Sequence, residues 1–416
     1  MNLSLENRVL LSLIAKTSFG KDIDFLKSDE KLEDIDWNAV YAESVHQTVV
    51  LFVSNAISSY THLIPKEIFG KWLALSGKTY TKNSHVLSVQ EKVVNLLNNN
   101  NYKYAILKGP VSASYYENPD MRMLGDVDIL IEKDKTDEIV DKFIKGFDLE
   151  KHTDIEHYCH VSMHNKNMFI EAHFEIPGIP DGDKGEYTKD FVKNILVDTK
   201  EMELESSKFI VPNDLHHGIV ILLHMLHHMT GEGLGLRHLC DWGAFVNKTF
   251  DMAFWDTEMI PYLKKMGLYT YTSIMTSICK KYFSIDAPQG LFNADDDICD
   301  EVMFDIFQSG NLGKKNEQYT KSALLISQSS NGKENKSNFT ILFEKLDSAV
   351  KSHWPWLRKW KILLPLAYVY FALKYYVKVF LGERPKIGNL VPEANRRREV
   401  YNKLKIFEDT KEWVIV

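Results

Sequence analysis

RMLGDVDILIEKD, Arg122 to Asp134, sets two carboxylates, Asp126 and Asp128, at the mouth of an apolar run. Side chains alternate between the two faces of a strand. Asp126, Asp128 and Leu130 therefore share one face, and Val127, Ile129 and Ile131 the other. Two ionised carboxylates side by side repel unless positive charge lies between them. Hard oxygen ligands in that arrangement suit a divalent cation such as Mg²⁺ or Mn²⁺.

The sequence on either side supplies complementary groups. Upstream, YKYAILKG reads as a short buried strand ending in a turn, and VSASYY as the start of a helix. Lys108 offers a point charge at that turn. Gly109 lets the backbone approach a phosphate, and a following helix start attracts anions. Ser112 and Ser114 bring hydroxyls, and Arg122 can grip a phosphate with two N–H groups. Downstream, HYCHVSMHNKNMFIEAHFEI reads as two strands around an Asn-Lys-Asn turn. In its second half Glu171, His173 and Glu175 make a polar face and Met168, Ile170, Ala172, Phe174 and Ile176 an apolar one. If that strand lies beside the first, Glu171 completes a three-carboxylate cluster. Such clusters hold the metal ions that brace the attacking and leaving oxygens of phosphoryl or nucleotidyl transfer.

The 416 residues allow two or three domains. Hydrophobic and charged contents of 44% and 26% are those of a globular protein. The net charge of -7 argues against bulk nucleic-acid binding. Four scattered cysteines form no CxxC pair, which fits a reducing, cytoplasmic setting. The N-terminal MNLSLENRVLLSLIAKTSFG has no basic leader and reads as a first amphipathic helix. Helical spacing dominates residues 1–95, mixed strand and helix signals occupy 96–205, and helix returns over 206–350. The polar stretch 327–338 reads as a surface loop, and 351–416 as a basic, aromatic helical tail.

AILKGPVSASYYENPDMRMLGDVDILIE resembles a bacterial family of uncharacterised nucleotidyltransferases, and more distantly the polymerase-β type nucleotidyltransferase superfamily. The hallmarks are an LKG turn, a Tyr-Tyr pair, an Arg and GD-x-D before an apolar strand. EAHFEI is similar to the family's acid-x-His strand, and HMLHHMTGEGLGLRHLCDW to its histidine-bearing helical segment. The resemblance implies an α+β fold in which a mixed-sheet nucleotidyltransferase domain is flanked by N- and C-terminal helical regions. It implies metal ligation by Asp126, Asp128 and Glu171, with Glu171 also helping to activate the acceptor. It places Lys108, Gly109, Ser112, Arg122 and His173 about the nucleotide. The activity implied is transfer of an NMP from an NTP to a small molecule, glycan or lipid-linked acceptor. One departure stands at the turn, where the wider superfamily favours Gly-Gly or Gly-Ser. Here Pro110 follows Gly109 and brings no N–H donor. The alternative is a fold of this type that binds nucleotide without turnover, or acts as a scaffold in a membrane-associated polysaccharide pathway.

Two further segments have more than one reading. DLHHGIVILLHMLHHMTGEGLGLRHLCDW carries six histidines, of which His224 and His228 share a helix face. They fit a transition-metal site completed by Asp241 or Glu232, ordinary core and capping hydrogen bonds, or a cleft wall for nucleotide or acceptor that includes Arg237 and Asp241. HWPWLRKWKILLPLAYVYFALKYYVKVFLGERPK has an apolar core from Ile362 to Leu373, short for a bilayer span. It fits a core helix, a spanning helix, or a helix lying on the inner membrane surface through residues 352–381. Arg396, Arg397 and Arg398 read as a solvated helix face or a lipid-headgroup contact.

Overall fold

The computed structural model describes residues 3–28, 30–152, 158–204, 207–326 and 337–409. The loop expected at 327–338 lies mostly outside them. The principal helices are α1 (Leu5–Phe19), α2 (Trp37–His46), α3 (Lys66–Asn99), α4 (Thr136–Phe147), α5 (Asp214–Thr230), α6 (Leu236–Lys248), α7 (Tyr269–Phe283), α8 (Asp296–Ser309), α9 (Asn338–His353), α10 (Leu364–Phe380) and α11 (Val391–Lys403). The strands are β1 (Tyr104–Ile106), β2 (Val127–Ile131), β3 (Glu150–Lys151), β4 (His160–His164), β5 (Phe169–His173), β6 (Thr199–Leu204) and β7 (Ser207–Pro212).

A mixed sheet in the order β1-β2-β5-β4-β3 forms the centre. β4 and β5 are the expected hairpin around Asn165, Lys166 and Asn167. β2 runs antiparallel to β1 and parallel to β5. The two faces of β2 separate as its alternation requires. Val127, Ile129 and Ile131 pack on Val86, Val89, Val93 and Leu97 of α3 and on Ile139 and Phe143 of α4. Those α3 positions recur every three or four residues, which makes one apolar stripe. Leu130, on the opposite face, joins the larger helical core. This is the α+β arrangement expected, a mixed sheet with helical regions on both sides.

The helical regions before and after the sheet share one core. Val9, Leu10 and Ile14 of α1 cluster with Phe245 of α6 and with Met275 and Ile278 of α7. β6 and β7 pair antiparallel, from Thr199 opposite Pro212 to Leu204 opposite Ser207, on either side of the boundary at 205 that the sequence suggested. Phe209 and Val211 of β7 belong to the same apolar cluster as Tyr104 and Ile106 of β1.

The arginine run near the C-terminus is a correction to the sequence reading. Arg397 is fully buried and makes no solvated face. Its guanidinium donates to the Met229 and Gly231 carbonyls at 2.8 and 2.9 Å, and to Tyr319 O and Ser322 Oγ at 2.7 and 2.8 Å. It thereby satisfies carbonyls left over at the end of α5. Arg396 pairs with Asp305 and Glu393, and Arg398 donates to Asn338 and Asn395.

The structure narrows the three readings of the tail. Pro365 sits in the first turn of α10, where its missing N–H costs nothing. Lys361–Phe380 is a continuous 20-residue helical stretch, long and apolar enough by length and composition to cross a membrane. Only Ala367 of α10 is buried, so it is not a core helix.

Candidate active site

A cleft of about 310 Å³ opens between the start of β2, the second half of β5 and the helices α5 and α6. The parallel register of β2 and β5 sets Glu171 opposite Asp128. Asp126, just before β2, lines the same cleft, as do Lys108, Gly109, His173, His224, His228 and Arg237. Carboxylates therefore form the sheet wall, and imidazoles with Arg237 form the helix wall.

Three devices hold the carboxylate wall. Lys108 Nζ lies 2.7 Å from Asp128 Oδ1, at the turn that follows β1. Gly109 adopts φ +62 there, a conformation that favours glycine, and Pro110 opens a single helical turn, Pro110–Ala113, in place of the longer helix expected. His173 Nε2 stands 3.0 Å from Asp128 Oδ1 and 3.4 Å from Glu171 Oε2. Asn83 of α3 donates from Nδ2 to the carbonyls of Asp120 and Arg122, and its Oδ1 accepts from Leu124 N at 2.8 Å. That last contact fixes the loop leading into Asp126.

Charge in the cleft follows from this packing. Burial raises the Asp128 carboxyl, but Lys108 and His173 outweigh it and hold it well below the usual carboxylate range. Burial opposes protonation of His173, yet its hydrogen bonds to Asp128, Cys159 and Glu171 push it up to about 10. Asp126 has no ion-pair partner among the described residues. Burial and the Asp128 charge push it up to about 6. Burial works against the Glu171 carboxylate, but its bond to His173 keeps the carboxyl below its ordinary value.

Some of the residues singled out in the sequence have other roles or places. Ser112 is 2% exposed and does not line the cleft. Arg122 reaches the cleft wall, but its fork is committed to Asp241, with Nε to Oδ1 at 3.1 Å and Nη2 to Oδ2 at 2.7 Å. Asp241 also accepts from Tyr116 at 2.9 Å and is withdrawn from the cleft. Of the six histidines, His217 belongs to the core, with Nδ1 2.9 Å from the Tyr115 hydroxyl, and His216 bonds Asn213. His224, His227 and His228 line the cleft, and His238 stacks behind them, 4.9 Å from the His228 ring. Gly178 lets the chain after β5 pass close to α5, since a Cβ there would lie 2.2 Å from the Leu223 carbonyl oxygen.

The model of a family described as uncharacterised nucleotidyltransferase matches residues 33–284, from just before α2 to the end of α7. The chain belongs to this family. No curated protein matches it. The matched span contains both walls of the cleft, with Leu312 alone among the lining residues outside it. Family membership gives this nucleotidyltransferase a nucleotidyl-transfer role with an NTP as donor. Its donor set fits a divalent metal. Asp128 and Glu171 bring hard oxygens within 4.8 Å of each other and of His173. Asp126 lies outside that tight group, and burial with the neighbouring Asp128 charge outweighs the pull of Lys108 and Arg237 on it.

Proposed function

We propose that the protein is a metal-dependent transferase that moves an NMP from an NTP to an acceptor hydroxyl on a small molecule, glycan or lipid-linked molecule. The β2–β5 register carries this reading, because it brings Glu171 beside Asp128 in the cleft that Asp126 also lines. Asp126, Asp128 and Glu171 are the residues that would hold Mg²⁺ or Mn²⁺. Bound there, the cation supplies positive charge against the triphosphate and the departing pyrophosphate. Lys108 and Arg237 give the phosphates cationic partners. Glu171 receives the acceptor proton as the acceptor oxygen bonds to the α-phosphorus. The bond from that phosphorus to the bridging oxygen breaks, and pyrophosphate leaves with the oxygen. His173, held protonated, keeps Asp128 ionised and oriented. Gly109 gives the phosphates room at the turn without requiring an N–H from Pro110.

Arg237 has no ion pair among the described residues, and its buried Nε has no hydrogen-bond partner. A charge-assisted hydrogen bond contributes about 1.5–3 kcal/mol. Arg237→Ala is expected to weaken NTP binding about 10- to 100-fold. Titration of nucleotide against tryptophan fluorescence would measure it, and unchanged affinity would remove Arg237 from the site.

We further propose that the protein works at the cytoplasmic face of a membrane, with α10 lying in an anionic lipid surface. Ile362, Leu366, Val369, Leu373, Tyr376 and Phe380 recur at helical spacing and are exposed, Ile362 at 84% and Phe380 at 92%. The opposite face packs on α9 through Ala367 and Phe371, and the Tyr368 hydroxyl donates to Asp347. A helix covered on one side and bare on the other suits an interface better than a span. Residues 351–386 hold eight Lys or Arg and one Glu, a net +7 within a chain of net charge -7. Each such cation near an anionic surface contributes about 1 kcal/mol. The protein should float with phosphatidylglycerol vesicles at low salt and not with neutral phosphatidylcholine ones. Leu366→Asp/Leu373→Asp should remain at the bottom of the gradient, and wild type remaining there would refute the placement.

A further inference from the structure

The transfer chemistry above leaves the histidine cluster on the helix wall unused. His224 and His228 stand one turn apart on α5, and His238 faces them from α6. One ring nitrogen from each lies within 4.8 Å of the other two. Their hydrogen bonding is incompatible with the protein alone. His224 Nε2 lies 2.9 Å from His228 Nε2 and 3.0 Å from Lys108 Nζ. A ring nitrogen offers one N–H or one lone pair, so His224 Nε2 cannot accept from both. His238 is 3% exposed, and neither of its ring nitrogens has a hydrogen-bond partner. Buried polar atoms without partners are rare and costly.

We propose that His224, His228 and His238 form a second metal site, separate from the carboxylate wall, for a borderline transition ion of the Zn²⁺ type. Imidazole nitrogens select such ions over Mg²⁺. Three protein ligands leave a coordination position open toward the cleft, as catalytic rather than structural sites do. Glu232 Oε2 lies 3.9 Å from His228 Nδ1, the nitrogen turned away from the cluster. A carboxylate behind a ligating imidazole is the usual orienting partner. Two nitrogens on one tetrahedral ion stand about 3.4 Å apart, given bonds of about 2.0–2.1 Å, so a small ring rotation accommodates the 2.9 Å pair.

The surrounding charge permits a cation. Asp126, Asp128, Glu171 and Glu232 carry negative charge in the cleft, against Lys108, Arg237 and the protonated His173. The Arg122–Asp241 pair is neutral as a unit. Lys108 keeps its 2.7 Å contact with Asp128 when it yields the His224 nitrogen.

Co²⁺ is the probe, since its visible d–d absorption reports coordination number and ligand type. Metal-free full-length protein should take up one Co²⁺ per chain in excess Mg²⁺, with an intense visible band and no thiolate charge-transfer band. The band should survive Asp126→Asn, so loss of the carboxylate reading would not remove it. His224→Gln and His228→Gln, at partly exposed positions, should weaken Co²⁺ binding at least about 10-fold, as should Glu232→Gln behind His228. Each variant's metal-free melting temperature checks that it folds. Absence of the band, or its persistence in both folded histidine variants, would overturn the site. A thiolate band abolished by Cys159→Ser would likewise overturn it, by placing the ion on Cys159, His160 and His173.

Discussion

Arg122→Ala is expected to cost about 3–5 kcal/mol of folding stability. Arg122 and Asp241 are both buried, and they meet through two parallel hydrogen bonds of 3.1 and 2.7 Å. Removing the guanidinium leaves a buried carboxylate with the Tyr116 hydroxyl as its one hydrogen-bond donor among the described residues. That uncompensated charge, more than the lost attraction, sets the size of the effect. The pair also ties the loop before Asp126 to α6, so one wall of the cleft depends on it. The urea midpoint of the single variant should fall sharply. Arg122→Met/Asp241→Leu, which removes both charges, should recover most of the loss. A single variant within about 1 kcal/mol of wild type would show that the pair is not buried as described.

Asp126→Ala is expected to lower transfer at least about 10³-fold while leaving the fold intact, on the scale of losing one electrostatic contact to the transition state. The two halves of that expectation have different causes. Asp126 faces the cleft and makes no ion pair among the described residues, so its loss breaks none of them. Its carboxyl is pushed up to about 6 by burial and by Asp128, so truncation relieves repulsion in the native state. Asp128 is the opposite case, because its removal strands Lys108 and His173. Incorporation of α-labelled NTP into acceptors of a cell extract reads the activity, and thermal unfolding reads the fold. Undiminished labelling by Asp126→Ala would contradict its assigned role.

The elements around the site were largely legible in the sequence, because each rests on a local pattern. The alternation in DVDILIE, the hairpin about Asn165–Asn167 and the apolar stripe of α3 are fixed by neighbours within a few residues. The distant pairings were not legible. Nothing local to Asp241 announces that Arg122, 119 positions earlier, will take its carboxylate. Ser112 reads as a phosphate ligand only while Pro110–Ala113 is taken for a full helix, and a single turn points it elsewhere. Arg397 reads as solvent-facing because buried arginine is rare, and only the packed end of α5 explains its carbonyl contacts. The third histidine of the helix-wall cluster, His238, comes from α6, beyond the spacing rule that joined His224 to His228. Asn83 carried no signal, since an asparagine within a long helix usually faces solvent.

The most direct test is calorimetric titration of each NTP, with and without Mg²⁺, into wild type and into Asp126→Ala/Asp128→Ala. Metal-dependent binding of at least one NTP to the wild type, abolished in the folded double variant, is the predicted result. Binding that ignores Mg²⁺, or that persists in the double variant, would contradict a metal–triphosphate site on the β2–β5 carboxylates.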